Sequence, residues 1–167
     1  MAGFNTKTFE VHDDYMTPES AWVNVKEYIP NDKIIWEAFY GDGKSGAYLK
    51  KLGFNTIHAN IDFFENDWGD IIVSNPPFSK IKEVLARLKV LDKPFMLILP
   101  AAKLHTQYLR TTFQNDEHPL QLIIPRRRIQ FVKMQGGKVA DSKNACNFDC
   151  FYYCWKLNLP RDIIWLD

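Results

Sequence analysis

The chain has 167 residues, 46% hydrophobic and 25% charged, which predicts one folded α/β domain over residues 1–167 with a packed core and excludes a chain that is disordered as a whole. Its 21 Lys and Arg balance its 20 Asp and Glu to a net charge of +1, which excludes a uniformly basic polyanion-binding chain. The longest apolar run, residues 95–99, is too short to cross a membrane, and the sequence has no signal-peptide pattern, so we expect a soluble, cytoplasmic protein that binds no membrane. Three cysteines in a chain of this length predict no disulfide framework.

Short apolar runs alternate along the chain with amphipathic stretches, the pattern of strands that alternate with helices. In chain order, the predicted elements are a helix capped by Thr17, a strand over 33–38, a helix over 45–52, strands over 55–60 and 70–74, a helix over 79–89, a strand over 95–99, a helix over 104–113, a strand over 120–124, and the segments 130–131 and 148–157 that complete the sheet. This order predicts a mostly parallel twisted sheet with helices on both faces. In such sheets the ligand crevice lies at the carboxyl ends of the strands.

The loop after the first predicted strand fits two patterns. Residues 38–45 fit the relaxed phosphate-loop pattern A/G-x-x-x-x-G-K-S/T, whose lysine reaches a triphosphate and whose serine holds Mg²⁺. Residues 37–43 also fit a second pattern, in which a strand ends in an acid, Glu37, and turns on Gly41 and Gly43 so that the backbone can approach a nucleoside cofactor. The two patterns predict a nucleotide kinase and a Rossmann-like cofactor-binding enzyme, respectively.

The rest of the chain favours the second pattern. A phosphate-loop enzyme needs a further carboxylate at a strand end to hold Mg²⁺, whereas the other predicted strands end at Asn75, Pro100 and Pro125. Phe39 and Tyr40 are also too bulky to be typical of a loop whose backbone amides surround phosphate oxygens. The nucleotide kinase is therefore the second choice.

The strongest signal is a predicted strand that runs directly into Asn75-Pro76-Pro77-Phe78. Each proline fixes its φ angle near about −65° and pushes the residue before it out of the helical region. The result is a rigid, extended loop that presents two acceptors, the Asn75 carboxamide oxygen and the Pro76 carbonyl. Such a loop can accept both N–H bonds of a planar –NH₂ group while the ring of that group stacks on Phe78.

These segments resemble the motifs of N6-adenine DNA methyltransferases of the class I S-adenosylmethionine-dependent fold, in particular the small phage- and virus-type enzymes. The family's D/N/S-P-P-Y/F/W signature stands here as Asn75-Pro76-Pro77-Phe78, and its F-x-G-x-G cofactor loop as Phe39-Tyr40-Gly41-Asp42-Gly43. The segment that closes over the cofactor's methionine end stands as Tyr15-Met16-Thr17-Pro18, and the element beside the cofactor adenine as Asp62-Phe63-Phe64. The resemblance covers about residues 13–99.

The resemblance implies a Rossmann-like class I methyltransferase fold with an antiparallel strand near the C-terminal edge of the sheet. It implies S-adenosylmethionine, without a metal, as the methyl donor and Asn75, Pro76, Pro77 and Phe78 as the catalytic residues. The cofactor contacts that it implies are Tyr15, Thr17, Glu37, Phe39, Tyr40, Gly41, Asp42, Gly43, Asn60, Asp62 and Phe63. Whether Asn60 or Asp62 binds the cofactor ribose stays open.

Residues 125–143 carry six cations and one acid. We expect this basic segment to follow the phosphate backbone of a nucleic acid, which would make binding strongly salt-dependent. The predicted contacts are Arg126, Arg127, Arg128, Lys133 and Lys138.

The predicted reaction is methyl transfer to the N6 amino group of adenine in DNA. The same tetrapeptide also fits adenine in ribosomal or transfer RNA, or a glutamine amide in a protein, since each presents a planar –NH₂. Two further alternatives are the nucleotide kinase and an inactive cofactor-binding subunit. The chain has no evident target-recognition domain, which leaves room for a helper or recognition subunit and leaves the oligomeric state open.

Overall fold

The structure, a computed structural model, describes residues 15–135, 138–139 and 149–167, and for 133–135 and 138–139 it describes the backbone alone. The α-helices of the described residues are α1 (Glu19–Val23), α2 (Lys44–Lys51), α3 (Ile81–Val90) and α4 (Gln107–Phe113). The strands are β1 (Tyr15–Met16), β2 (Ile35–Trp36), β3 (Thr56–Ile57), β4 (Ile71–Ser74), β5 (Phe95–Pro100), β6 (Gln121–Ile124), β7 (Val132–Gln135), β8 (Lys138–Val139), β9 (Cys150–Trp155) and β10 (Ile163–Trp165). Short 3₁₀-helices lie at Lys26–Tyr28, Phe63–Glu65, Phe78–Lys80 and Ala101–His105.

Seven of these strands form the main sheet, in the order β10-β6-β9-β5-β4-β2-β3. Six run parallel to one another, and β9 runs antiparallel to both of its neighbours, β5 and β6. The chain is therefore an α/β protein with a mostly parallel sheet, as the alternating pattern predicted, and β9 is an antiparallel strand of the kind that the resemblance implied. The antiparallel strand β9 is third from the β10 edge.

Successive residues of the central strands point to opposite faces, so the sheet separates two hydrophobic cores. Ile71 and Val73 pack in the core with α1 and α2, whereas Ile72 packs in the core with α3 and α4. The buried residues of α3 recur at helical spacing and are at most 2% exposed: Ile81, Val84, Leu85 and Leu88. Burying one such side chain contributes about 1.5–3 kcal/mol relative to leaving it exposed. Helices thus cover both faces of the sheet, as predicted.

A separate antiparallel sheet has the order β1-β7-β8. The prediction that Gln130 and Phe131 complete the main sheet is wrong, because both precede β7, which pairs with β1 instead. The main sheet has no place for them at that position: β9 lies between β5 and β6, and β6 pairs with β10 on its other side.

Some boundaries also differ from the predicted ones. Thr17 does not cap α1, because the residue before the helix is Pro18 and no side-chain cap bond forms. The strand predicted over 55–60 is reduced to the two residues of β3, an edge strand. Sequence analysis missed β10, an edge strand whose one buried residue is Ile164. No helix of the described residues is long and apolar enough to cross a membrane.

Candidate active site

The two predicted loops meet at the carboxyl edge of the sheet. The glycine loop (Phe39–Gly43) follows β2, and the NPPF loop (Asn75–Phe78) follows β4. These strands are parallel neighbours with Trp36 opposite Ile72. Neighbouring strands lie about 4.8 Å apart, so the two loops begin side by side.

A buried carboxylate, Glu37, lies between the two loops and is 1% exposed. Its Oε2 accepts a 2.5 Å hydrogen bond from Ser45 Oγ on α2. Its Oε1 accepts from the Phe39 amide at 3.1 Å and from the hydroxyl of Ser74, the residue before Asn75. Sequence analysis predicted Glu37 as a cofactor contact, and both of its oxygens are already used within the protein.

Burial raises the pKa of Glu37 from 4.5 to about 7, against the opposing effect of its hydrogen bonds from Ser45, Ser74 and Phe39. Between these pH values the folded state binds more protons than the unfolded chain, so the free energy of unfolding should fall as pH rises. Since one pKa unit corresponds to about 1.4 kcal/mol, we expect Glu37 to contribute about 3 kcal/mol to the free energy of unfolding at low pH. This contribution is lost as the pH rises from about 4.5 to 7. Chemical denaturation between about pH 4.5 and 7 should show that the free energy of unfolding depends less steeply on pH in the Glu37→Gln variant than in the wild-type protein. Equal slopes in both proteins would contradict the assignment.

The amide of Asn75 is oriented by the backbone of β1. Its Nδ2 donates to the Tyr15 carbonyl at 3.3 Å. A carbonyl can only accept, so the amide nitrogen must face Tyr15, and Oδ1 is left on the other side. Asn75 Oδ1 is buried and has no hydrogen-bond partner within the described residues. Buried acceptors of this kind are rare and usually have a functional reason.

A second acceptor lies next to this oxygen in the chain. The hydrogen bonds among the described residues include none to the Pro76 carbonyl. Pro77 is in an extended conformation and precedes the 3₁₀-helix that begins at Phe78. Along the chain, the NPPF loop thus has two successive acceptors, Asn75 Oδ1 and the Pro76 carbonyl, to which no donor of the described residues bonds.

Three aromatic rings pack beside the NPPF loop. Phe131 contacts Tyr15 edge-on at a centroid distance of 6.5 Å and Phe78 edge-on at 6.3 Å. Phe131 is buried, whereas Tyr15 and Phe78 are partly exposed. Phe131 thus supports from behind the two rings that the sequence assigned to the site.

The glycine loop turns on residues with positive φ, Gly41 at 59° and Gly43 at 83°. A side chain at Gly41 would bring its Cβ to 3.0 Å from the Met16 sulfur, and one at Gly43 would lie 2.8 Å from the Tyr40 hydroxyl. Met16 therefore covers the glycine loop from β1. The buried Thr17 follows it directly.

His58, which the sequence analysis did not select, packs over the start of α2. Its ring is stacked on Tyr40, with centroids 5.7 Å apart and planes 16° apart. A Cβ at Gly46 would lie 2.2 Å from His58 Cγ, so only glycine admits this ring. His58 Nδ1 is buried without a partner among the described residues, and desolvation and Lys50 lower the pKa of the ring. His58 is therefore held neutral.

The predicted adenine-side element joins the same region through Phe63. Its ring contacts Phe39 at 4.9 Å and is fully buried, so it supports the glycine loop from within the core. Asp62 caps the 3₁₀-helix through a 2.8 Å bond from the Phe64 amide, which uses one carboxylate oxygen. Asn60 is exposed.

Asp42 is exposed at the tip of the glycine loop. Its side chain accepts a 3.0 Å hydrogen bond from the Lys44 amide. This bond stabilises the turn into α2, so Asp42 has a structural role in addition to the cofactor contact that the sequence predicted.

The basic segment reaches the site through its backbone. Lys133 of β7 is opposite Tyr15 of β1. Arg126 and Arg127 are exposed, and the ion pairs of the described residues do not include them, whereas Arg128 pairs with Asp149 at 2.9 Å. The Lys133 and Lys138 side chains, predicted as nucleic-acid contacts, lie outside the described part of the structure.

Four segments predicted from sequence thus converge: β1, the glycine loop, the 3₁₀-helix at Phe63 and the NPPF loop. Sequence analysis missed the residues that connect them, namely Met16, Trp22, Ser45, His58, Ser74 and Phe131. One signal could have indicated Ser74, since it is the single polar residue in an otherwise apolar strand. The others carry no local signal, because their role depends on residues far away in the chain.

A scan against known protein families and a search of curated proteins find no match to this chain. Among the residues that the structure describes, no group of three or more His, Cys, Asp or Glu side chains is arranged to hold a metal ion. The geometry of the site itself must therefore carry the assignment of function.

Proposed function

We propose that this protein transfers a methyl group from S-adenosylmethionine to the N6 amino group of adenine in DNA, on a Rossmann-like class I methyltransferase fold. The observation that carries the proposal is Asn75 Oδ1, which is buried without a hydrogen-bond partner among the described residues and is followed in the chain by the Pro76 carbonyl. Two successive acceptors to which no donor of the described residues bonds match a group that brings two N–H bonds, and the partly exposed Phe78 ring suits a planar base.

The residues around the glycine loop fit the cofactor. Gly41 and Gly43 supply the positive φ on which the loop turns, and the Met16 thioether and the Tyr40 ring pack directly against them. Aromatic faces and a thioether suit a sulfonium cation better than an anion. Tyr15 and Thr17 would hold the methionine end, and Asp62 or Asn60 the ribose.

In this proposal Asn75 Oδ1 and the Pro76 carbonyl accept the two N–H bonds of the adenine amino group. This favours a pyramidal nitrogen whose lone pair is aimed at the methyl group, and it acts by positioning and electrostatic preorganisation. Bound S-adenosylmethionine would supply a sulfonium methyl group, so that transfer would exchange the C–S bond for an N–C bond, leave the bonding pair on sulfur and release one proton from nitrogen to water. Phe78 holds the base by stacking, worth about 1–3 kcal/mol.

The phosphate-loop alternative finds little support at Ser45. That hydroxyl, the predicted Mg²⁺ ligand, accepts from Trp22 Nε1 at 2.9 Å and donates to Glu37. Lys44 is largely exposed and 4.0 Å from Asp42. A carboxylate directly behind the loop would also repel a triphosphate.

A methyl-transfer assay tests the proposal. Tritiated S-adenosylmethionine is incubated with the protein and duplex DNA, single-stranded DNA, RNA or protein, and the modified residue is identified. We expect label in N6-methyladenine of DNA. Label in RNA or in glutamine would select one of the alternatives, and calorimetric binding of ATP with Mg²⁺ but not of S-adenosylmethionine would overturn the proposal.

The exposed arginines should govern how DNA binding depends on salt. Each phosphate contact contributes a slope of about 0.9 to the decrease of log K with log salt concentration, so Arg126→Ala/Arg127→Ala should lower the magnitude of that slope by about 2. Arg110→Ala, an exposed arginine on α4 that packs against the opposite core, should leave the slope unchanged. Fluorescence anisotropy with labelled DNA measures both, and equal slopes would exclude these residues as phosphate contacts.

A further inference from the structure

A buried chain of hydrogen bonds joins four elements beside the candidate site: α1, α2, the end of β2 and β4. Trp22 Nε1 of α1 donates to Ser45 Oγ of α2, and Ser45 Oγ donates to Glu37 Oε2 after β2. On the other side of the carboxylate, the Ser74 hydroxyl of β4 donates to Glu37 Oε1. All four side chains are buried, at most 8% exposed.

The two oxygens of Glu37 serve different loops. Oε2 accepts from Ser45, which lies in the first turn of α2, the helix that follows the glycine loop. Oε1 binds the Phe39 amide, within the glycine loop, and Ser74, whose neighbour Asn75 presents the unpartnered Oδ1. One carboxylate therefore connects the loop assigned to the cofactor with the loop assigned to the amine.

Glutamine would reproduce this arrangement only in part. At Oε2 the Ser45 hydroxyl donates to the carboxylate while its oxygen accepts from Trp22. At Oε1 the Phe39 amide can only donate. An amide nitrogen in place of Oε2 could no longer accept the Ser45 hydrogen bond, so the Glu37→Gln variant loses one acceptor and gains a donor at that position.

We propose that Glu37 is a positioning residue that fixes the glycine loop relative to the NPPF loop, through Ser45 and Ser74, and does not itself bind the cofactor. This inference rests on the proposed function. Transfer of a methyl group depends on the separation and alignment of donor and acceptor atoms, and small misplacements lower the rate strongly. In this proposal Ser74 positions the neighbouring Asn75, which accepts from the amino group, and Ser45 positions the glycine loop.

The test separates these two sides with single-hydroxyl variants. We expect Ser74→Ala to lower kcat about tenfold while the Kd for S-adenosylmethionine changes less than about threefold, and Ser45→Ala to raise that Kd about tenfold with a smaller effect on kcat. Glu37→Gln should change both. The matched control is Thr56→Val, which removes another buried hydroxyl, one that bonds only to the nearby Phe54 carbonyl.

Kd is measured by calorimetry with S-adenosylmethionine and, independently of turnover, with S-adenosylhomocysteine. Chemical denaturation of each variant shows whether it is folded. If Glu37→Gln alone weakens binding while both serine variants bind normally, Glu37 is a direct cofactor contact and the inference is wrong. Folded Ser74→Ala protein with wild-type kcat also overturns it. A wild-type protein that neither binds S-adenosylmethionine nor transfers methyl groups would overturn the proposed function itself.

Discussion

Replacing Asn75 by alanine should lower the rate of methyl transfer by about 10²–10³-fold while the Kd for S-adenosylmethionine stays within about threefold. Asn75 Oδ1 acts on the amino group, and the loss of one preorganised hydrogen-bond partner of a transition state costs about 10²–10³ in kcat. The alanine also leaves the Tyr15 carbonyl without the Asn75 Nδ2 donor. An interaction with the reacting group alone lowers kcat and spares cofactor binding. Steady-state kinetics and calorimetry measure the two effects.

Two further variants separate catalysis from structure. Asn75→Asp keeps an acceptor oxygen but loses the donor to Tyr15, so we expect a smaller loss of rate than in Asn75→Ala. If the amide served only to hold β1, both variants would lose the same activity. Asn31→Ala changes an exposed asparagine and should have wild-type activity. Near-normal turnover in Asn75→Ala would refute the mechanism.

Local sequence chemistry was enough to predict the loops of the candidate site. Two consecutive prolines restrict the backbone wherever they occur, and glycines at 41 and 43 have the positive φ that their spacing indicated. Most strands and helices were also predicted, because apolar periodicity is a local property. The alternation of strands and helices then indicated the mostly parallel sheet.

The connections between those loops could not be predicted in the same way. Ser74 bonds to Glu37 across 37 residues of chain, and Asn75 bonds to Tyr15 across 60. The pairing of β1 with β7 depends on which sheet edges the rest of the fold leaves open. Nothing local to Phe131 indicates that it supports Phe78. Such contacts are set by tertiary packing, and a single sequence carries no signal for them.

Replacing Gly46 by alanine should destabilise the fold, against the usual rule for helices. In the interior of an exposed helix this change normally stabilises by about 0.5–1 kcal/mol. Here the new Cβ would lie 2.2 Å from His58 Cγ and 2.5 Å from His58 Cβ. These atoms are at the base of the side chain, which cannot swing away without moving the backbone. Overpacking of this kind costs about 1–3 kcal/mol, so we expect the free energy of unfolding to fall.

A double-mutant cycle with His58→Gly shows whether the clash with the histidine is the cause. In the His58→Gly background the ring and its Cβ are absent, so Gly46→Ala should regain its ordinary helix-stabilising effect and change sign. Urea denaturation of the four proteins gives the coupling energy, and a stabilising Gly46→Ala in the wild-type background would contradict the packing. His58 stacks on Tyr40, and the Tyr40 hydroxyl closes over Gly43. Displacement of His58 should therefore also weaken S-adenosylmethionine binding, since it moves the ring that borders the glycine loop.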